Sequence, residues 1–375
     1  MSPAPDPPTR ARDIGLHIGT GTPGPFNAIT DVPGVRVGHT TLIAGDGPLN
    51  VGQGPVRTGV TVVVPREAPM WEQPVFAAAH ALNGNGELTG LAWLREAGLL
   101  MSPIAITSTH AVGVVRDALV GAEAAVRPPS DLFWRLPVVA ETWDGVLNDV
   151  NGGHVRAEHV HAALRTADTG PVAEGNVGGG TGMVCHGFKG GIGTASRELA
   201  ADAGGHTVGV LVQANHGRRE RLTINGVAVG QAISADEVPE PELPGAPDGR
   251  RGGGSIVVIV ATDAPLLPHQ CTWLAQRAGL GVGRVGGAGE HWSGDVFVAF
   301  ATGNRDLPSG DYGAAAASTV PLRMLTGAHL NPLYDAAIEA TEEAIVNALL
   351  AAQTMTGRDG IVAHALEPDR LAAAL

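Results

Sequence analysis

The chain has 375 residues, of which 44% are hydrophobic and 16% are charged, values that fit a large folded core and exclude an intrinsically disordered chain. The formal net charge is −13 and Lys189 is the only lysine, which argues against nucleic acid or an anionic membrane as a partner and against a Schiff-base mechanism. Two cysteines, Cys185 and Cys271, are too few for a disulfide framework or a cysteine-rich zinc site.

The N-terminal segment, MSPAPDPPTRARDIG, lacks the roughly 7–15 consecutive apolar residues that form the core of a secretory signal. No apolar run approaches the roughly 20 residues that a membrane-spanning helix needs. We therefore expect a cytoplasmic protein.

The hydrophobic pattern predicts strands alternating with helices. Residues 29–39 alternate and turn like a short hairpin, and residues 59–65, GVTVVVP, are typical of a strand buried on both faces. Further strands are predicted at 103–107, 137–140, 206–213, 255–260 and 295–301. Helices are predicted at 88–98, 111–126, 154–167, 268–278 and 331–355. This mixture indicates an α/β fold built from layers.

Two segments stand out by composition. Residues 174–193 are dense in glycine, which indicates either a loop passing close to other backbone or an active-site wall whose N–H groups face a substrate carbonyl. Residues 238–254 are polar and rich in proline and glycine, and they are the best linker candidate in the chain.

Two matches to G-x-G-x-x-G occur, at residues 19–24 and 281–286, but neither lies between a predicted strand and a predicted helix. With 54 glycines such matches are expected by chance. The 14 histidines show no ligand spacing on one helical face, and H-E-x-x-H is absent. We therefore expect neither a nucleotide cofactor nor a metal.

Residues 252–255 read Gly-Gly-Gly-Ser and precede a β-branched run. Taken alone, this is a linker that joins a strand. The same residues permit a specific reaction, in which the Ser255 hydroxyl attacks the carbonyl of Gly254, where no Cβ blocks the approach. Hydrolysis of the resulting ester leaves Ser255 as a new N-terminus, and its amine can then act as a base for its own hydroxyl.

The chain resembles, over nearly its whole length, the L-aminopeptidase/D-Ala-esterase/amidase and β-peptidyl aminopeptidase family, serine peptidases that mature by self-cleavage. The similar blocks are GPFNAITDVPGVRVGHTTL (24–42), GPVRTGVTVVVPR (54–66), FAAAHALNGNGELTGL (76–91), PVVAETWDGVLND (137–149), EGNVGGGTGMVCHGFKGGIGTASR (174–197), LVQANHG (211–217) and GGGSIVVIVATDAPL (252–266). The resemblance implies a four-layer α-β-β-α sandwich, similar to N-terminal nucleophile hydrolases but with different connectivity. It also implies a single peptidase domain cut into residues 1–254 and 255–375, and a homotetramer of cleaved protomers.

The resemblance also implies roles for individual residues. Ser255 matches the nucleophile and, with Gly254, the cleavage site. Ser293 matches a serine that assists the nucleophile and its amine. Asp295 matches the carboxylate of that network, where the family pattern has the longer Glu. From the residues alone, Ser293 and Asp295 indicate a turn before a strand.

Three further residues match the family's binding groups. Asn215 matches the side chain that donates to the oxyanion, and Glu141 matches the acidic group that holds the substrate's free ammonium. Trp143 stands where members commonly carry Tyr, so that an indole N–H replaces the phenol or the ring only walls the pocket. Without the resemblance, Asn215 is typical of a turn and Glu141 of a solvated strand end.

These observations together predict a self-processing serine aminopeptidase or amidase that acts on small amides, esters or short peptides without a cofactor. Two alternatives are an acyltransferase of the ornithine acetyltransferase type, which has a Thr nucleophile, and an uncleaved, non-enzymatic binding protein on the same fold. The sequence favours neither α- nor β-amino acids, and neither the L nor the D form.

Overall fold

A computed structural model describes residues 9–67, 69–243, 254–309 and 317–375. Its strands are β1 (Arg36–Ala44), β2 (Val56–Val64), β3 (Val75–Ala81), β4 (Leu99–Leu100), β5 (Ile104–Ser108), β6 (Val138–Thr142), β7 (Val184–Cys185), β8 (Phe188–Lys189), β9 (Gly191–Glu198), β10 (Thr207–Asn215), β11 (Ser255–Thr262), β12 (Asp295–Ala301), β13 (Met355–Thr356) and β14 (Val362–Ala363). Its α-helices are α1 (Leu91–Ala97), α2 (Val112–Ala124), α3 (Ala157–Arg165), α4 (Val229–Ala232), α5 (Pro268–Arg284), α6 (Leu330–Ala351) and α7 (Pro368–Ala374).

Two sheets form the centre of the molecule. The larger has the order β4-β3-β12-β11-β10-β9, and the smaller has the order β1-β2-β5-β6. Each sheet contains one parallel pair, β11 with β12 and β5 with β6, among antiparallel neighbours. The sheets face each other across an apolar layer to which Val63 and Ile106 contribute from the smaller sheet and Leu211 and Ile259 from the larger.

Helices cover the outer face of each sheet. Helices α5 and α6 pack on the larger sheet, and α2 and α3 pack on the smaller. Alternate residues of β11 therefore enter two different cores: Val257 and Ile259 face the smaller sheet, whereas Val258 and Val260 face the helices. A strand buried on both faces needs an unbroken apolar run, which β11 has. The predicted α-β-β-α sandwich is confirmed.

Backbone passes directly against backbone where helices meet strands. A Cβ added at Gly193 in β9 would overlap the carbonyl oxygen of Ala344 in α6. A Cβ added at Gly38 in β1 would overlap the carbonyl oxygen of Ala163 in α3 in the same way. These close approaches need glycine facing small side chains, which fits a chain with 54 glycines and only 4% aromatic residues.

Several predicted elements differ from the observed ones. The hairpin at residues 29–39 is wrong: Ile29–Asp31 form a 3₁₀ turn, and β1 continues to Ala44 because it pairs along its whole length with β2. Strand β9 lies in and beyond the glycine-dense segment and was not predicted. Helix α5 runs on to Arg284, so the second G-x-G-x-x-G match lies partly inside it, where Gly281 abuts Thr341 of α6.

The predicted linker at 238–254 lies mostly outside the described residues, which end at 243 and resume at 254. In the described ranges, no helix is both long enough and apolar enough to cross a membrane.

The contact between β9 and α6 generates a stability prediction. Gly193→Ala forces two backbones apart, and we expect it to lower the free energy of unfolding by at least about 3 kcal/mol and the Tm by more than about 5 °C. The matched control is Gly121→Ala on α2, where an added Cβ meets nothing within 4 Å and better helix propensity stabilises by up to about 1 kcal/mol. Thermal unfolding of both variants checks this, and equal Tm values would contradict it.

Candidate active site

Ser255 lies where three strands of the larger sheet meet at one edge. It is the first residue of β11, and it pairs with Asn215 at the end of the antiparallel strand β10. Its neighbour Ile256 pairs with Asp295, the first residue of the parallel strand β12. The fold therefore brings Ser255, Asn215 and Asp295 together, as the sequence predicted for one site. Ser255 is 5% exposed.

The Ser255 hydroxyl is held by a backbone amide. The N–H of Gly294 donates to Ser255 Oγ at 3.0 Å, which leaves the hydroxyl proton free for transfer to another group. Gly294 itself presses on the loop at 83–87, because an added Cβ would overlap Asn85 O and would lie 2.5 Å from Gly86 Cα. This position accepts only glycine, so the loop and the amide that holds Ser255 form one packed unit.

Both oxygens of the Asp295 carboxylate accept hydrogen bonds. Ser293 Oγ donates to Oδ1 at 2.5 Å, and the N–H of Ile256 lies 3.3 Å from the same atom. Asn83 Nδ2 donates to Oδ2 at 3.1 Å. Asp295 thus contacts Ser293 although it is one methylene shorter than the family's Glu. Burial raises the pKa of Asp295, and the hydrogen bonds from Ser293, Ile256 and Asn83 offset part of that rise.

Asn83 is a site residue that the sequence analysis missed. Besides its bond to the Asp295 side chain, its Oδ1 accepts the Asp295 N–H at 2.6 Å, and its Nδ2 also reaches the carbonyl of Glu290 at 3.1 Å. The sequence showed only an Asn-Gly-Asn-Gly loop, a composition common to all tight turns. Its position beside β12 depends on the pairing of β3 with β12, which local sequence does not reveal.

Asn215 lies beside the bond between Gly254 and Ser255. Its Oδ1 accepts the N–H of Val184 at 2.8 Å, and its Nδ2 donates to the carbonyl of Trp143 at 3.0 Å. One Nδ2 hydrogen remains for another acceptor. A Cβ at Gly254 would lie 3.2 Å from Asn215 Nδ2 and would overlap Asn215 O. Residue 254 must therefore be glycine, and the amide of Asn215 lies next to it.

Glu141 joins this site through the same loop. It lies in β6, only 3% exposed, where it accepts the N–H of Glu87 at 2.9 Å and the hydroxyl of Thr109. Burial raises its pKa, and these two hydrogen bonds act in the opposite direction. The loop at 83–87 thus connects Glu141 at one end with Asp295 at the other. Thr109 was not predicted.

Two tryptophans border the site. Trp143 follows β6, and its indole lies over Gly145, where an added Cβ would be 2.5 Å from Trp143 Cε2. The indole N–H makes no hydrogen bond to any described residue, so Trp143 contributes its carbonyl, which Asn215 binds, and an apolar wall. Trp292, next to Ser293, is 58% exposed.

This arrangement combines a fixed hydroxyl, a buried serine–aspartate pair, a side-chain amide and a second buried carboxylate. Within the described ranges no histidine is hydrogen-bonded to Ser255. An acyl transfer at Ser255 would therefore need a base other than imidazole, whereas the amide of Asn215 can serve a developing oxyanion.

Known proteins are similar to this chain in sequence and in fold. The profile of peptidase family S58 matches residues 27–363. Beta-peptidyl aminopeptidase BapA of Sphingosinicella microcystinivorans is 50% identical over 98% of this chain and 91% of its own. The structure of a Burkholderia sp. beta-aminopeptidase covers 98% of both chains with a TM-score of 0.91 and 56% identity. That of L-aminopeptidase D-Ala-esterase/amidase from Ochrobactrum anthropi, described as a variant of the Ntn hydrolase fold, covers 98% of both with a TM-score of 0.87 and 43% identity.

Asn83 binds both the side chain and the backbone N–H of Asp295, and this pair of bonds, here called the clamp, generates a second prediction. Asn83→Ala removes a hydrogen bond to a buried carboxylate, worth about 1.5–3 kcal/mol, together with the bonds to the Asp295 N–H and the Glu290 carbonyl, and we expect kcat for amide hydrolysis to fall at least about 10-fold. Asn85→Ala is the matched control, because Asn85 bonds only the carbonyl of Trp292 through its side chain and should stay within about twofold of the parent. Equal kcat values for the two variants would contradict a role for the clamp.

Proposed function

Because the chain belongs to peptidase family S58 and is a serine-type aminopeptidase or amidase, we propose that Ser255 is its nucleophile and that the enzyme matures by cutting its own Gly254–Ser255 bond. The observation that carries this proposal is the position of Ser255: its Oγ is held by the N–H of Gly294, between the amide of Asn215 and the carboxylate of Asp295.

Maturation begins when Ser255 Oγ attacks the carbonyl carbon of Gly254. The C–N bond breaks, the hydroxyl proton passes to the departing amine, and an ester forms. Water hydrolyses this ester and leaves Gly254 with a carboxylate and Ser255 with a free amine. The missing Cβ at residue 254 and the nearby Nδ2 of Asn215 support this route, since the attack needs an uncrowded carbonyl and a donor for the oxyanion.

The same serine then acts on substrates. The free amine of Ser255, with a pKa of about 7.7–8.0 in an unperturbed N-terminus, takes the proton of its own hydroxyl. Asp295 Oδ1 lies 3.3 Å from the backbone nitrogen of Ile256, the residue after Ser255, and it accepts the Ser293 hydroxyl. The Ser293–Asp295 pair therefore lies close enough to orient the amine of Ser255. Asn215 stabilises the tetrahedral oxyanion, an acyl-enzyme forms, and water releases the product.

Glu141 is proposed to bind the ammonium group of the substrate. A buried carboxylate beside the loop that packs on Gly294 can form a charge-assisted hydrogen bond with a free N-terminus. Two relatives bear the name beta-peptidyl aminopeptidase, and the ammonium of a β-amino acid lies one carbon further from the scissile carbonyl than that of an α-amino acid. The proposed substrates are therefore small amides and short peptides with an N-terminal β-amino acid.

The relatives support neither alternative, the acyltransferase or the uncleaved binding protein, since each of them is named as a peptidase or amidase. On the family resemblance we further propose a homotetramer of cleaved protomers in the cytoplasm. No cofactor takes part in the proposed reaction.

Self-cleavage is tested by intact-mass analysis. The purified protein should consist of fragments 1–254 and 255–375, whereas Ser255→Ala should remain one inactive chain of 38.1 kDa because it lacks the attacking oxygen. The matched control is Ser318→Ala, which removes an exposed hydroxyl from the same fragment and should leave cleavage and activity unchanged. A fully active protein that stays in one piece would refute the mechanism.

The role of Glu141 is tested by the pH dependence of kcat/KM on an amino-acid p-nitroanilide. Only the ionised carboxylate binds an ammonium, and burial raises the pKa of Glu141, so kcat/KM should rise with pH through that raised pKa. Glu141→Gln should remove this step and lower kcat/KM by about 10- to 150-fold.

Glu87→Gln is the comparison variant for Glu141→Gln, because it keeps the N–H that binds Glu141 and removes an exposed charge that raises the pKa of Glu141. It should keep the rise of kcat/KM with pH and move that rise to lower pH. If the wild-type enzyme hydrolyses free and N-acetylated substrates at equal rates, Glu141 does not bind the ammonium.

A further inference from the structure

A buried cluster behind Asn215 takes no part in the reaction proposed above. It consists of Cys185, His186 and His216, each of which offers one ligand atom within 4.8 Å of the other two. All three residues are buried. We propose that this cluster is a binding site for a thiophilic divalent metal ion, with zinc as the occupant its chemistry favours.

The distance between the sulfur and one imidazole nitrogen fits zinc. Cys185 Sγ lies 3.7 Å from His216 Nδ1. Tetrahedral zinc with Zn–S and Zn–N bonds of about 2.3 and 2.0 Å holds such a pair about 3.5 Å apart. His186 offers the third ligand atom, within 4.8 Å of the other two, and the fourth position is left to water.

His186 has the hydrogen-bond pattern of a metal ligand. Its Nδ1 lies 3.0 Å from the carbonyl oxygen of Arg218. A carbonyl only accepts, so Nδ1 carries the proton and Nε2 carries the lone pair; a bond from the second ring nitrogen to a carbonyl is the usual way in which proteins orient a ligating histidine. Nε2 is buried and has no partner among the described residues.

His216 also carries an unsatisfied nitrogen. Its Nε2 is buried and lacks a partner within the described part of the chain, as does that of His186. A buried polar atom without a partner costs about 1–3 kcal/mol. A metal bound to His186 Nε2 and His216 Nδ1 would offset this cost at His186, while His216 Nε2 would keep its proton and stay unpartnered.

Glycines hold both rings in place. A Cβ at Gly217, where φ is +86°, would overlap the imidazole of His186 and lie 2.5 Å from its Nε2. A Cβ at Gly287 would lie 3.1 Å from His216 Cδ2. The rings are therefore packed into a fixed cradle, which limits the entropy that metal binding costs.

A metal must displace the thiol proton of Cys185, whose pKa burial raises to about 12. Binding replaces the S–H bond of Cys185 by a metal–sulfur bond and releases the proton to solvent. Arg219, which donates to the carbonyl of His186, lies beside the cluster and repels a cation, so the thiolate supplies the only negative charge among the three ligands to offset it.

The site would join two elements that also hold Asn215. Cys185 lies in β7, next to Val184, whose N–H binds Asn215 Oδ1, and His216 follows Asn215 directly. A bound metal would therefore fix the neighbours of Val184 and Asn215 and so restrict the movement of the Asn215 amide. Local spacing did not predict this site because its third ligand lies 30 residues after the adjacent pair and only the fold brings it near.

Cobalt provides a direct test. The fully processed wild-type protein, dialysed against a chelator, is titrated with Co²⁺ while the near-ultraviolet sulfur-to-cobalt charge-transfer band is recorded. We expect a band that saturates at one Co²⁺ per chain and that zinc abolishes stoichiometrically. Cys271→Ser is the matched control, since Cys271 is equally buried but lies on α5 away from both histidines, and it should keep the band.

Two variants remove the site. Cys185→Ser should lose the band completely, and His216→Gln should weaken cobalt binding at least about 10-fold. The Tm of the wild type and of Cys271→Ser should rise with added zinc, whereas that of Cys185→Ser should not. Absence of the band in folded wild-type protein, or its persistence in Cys185→Ser, would overturn the proposal and leave Cys185 and His216 as a hydrogen-bonded pair.

Discussion

The parallel pairing of β11 with β12 is the constraint on which the site depends. Two parallel neighbours need a crossover, and α5 provides it while covering the sheet's outer face. The pairing places the first residues of both strands, Ser255 and Asp295, at one edge. Because β10 is antiparallel to β11, its last residue, Asn215, reaches the same edge. One register thus assembles the proposed nucleophile, a carboxylate and a side-chain amide from three separate stretches of sequence.

The site contains two buried carboxyl groups, and hydrogen bonds rather than opposite charges stabilise them. Asp295 and Glu141 are both buried, and both receive backbone and side-chain donors. These hydrogen bonds lower the pKa of each carboxyl group and so oppose burial, which raises it. The loop at 83–87 supplies donors to both, and its Gly86 packs closely on Gly294, where an added Cβ would lie 3.0 Å from Gly294 Cα.

Much of the fold could be predicted from the sequence, because a buried strand such as β11 is an unbroken apolar run and a helix such as α6 is long and amphipathic. The glycine-dense segment does pass close to other backbone, as at Gly175 and Gly180, but its composition did not show that β9 begins at its end, where Gly193 faces α6. The family resemblance indicated Ser255, Ser293, Asp295, Asn215 and Glu141, and the fold brings them together. Asn83 and the cluster of Cys185 with two histidines depend on contacts between distant segments, which no local pattern encodes.

The order of strands in the larger sheet has a consequence for a chain cut before Ser255. Strands β11 and β12 would belong to the second fragment, yet each has a neighbour, β10 or β3, from the first. Helix α6 of the second fragment likewise packs on β9 and β10 of the first. The two products would be interleaved within one sheet, so they could not dissociate without unfolding. Breaking the covalent link would create a permanent heterodimer, and the two pieces, made separately, would each expose an unpaired half of the same hydrogen-bond ladder.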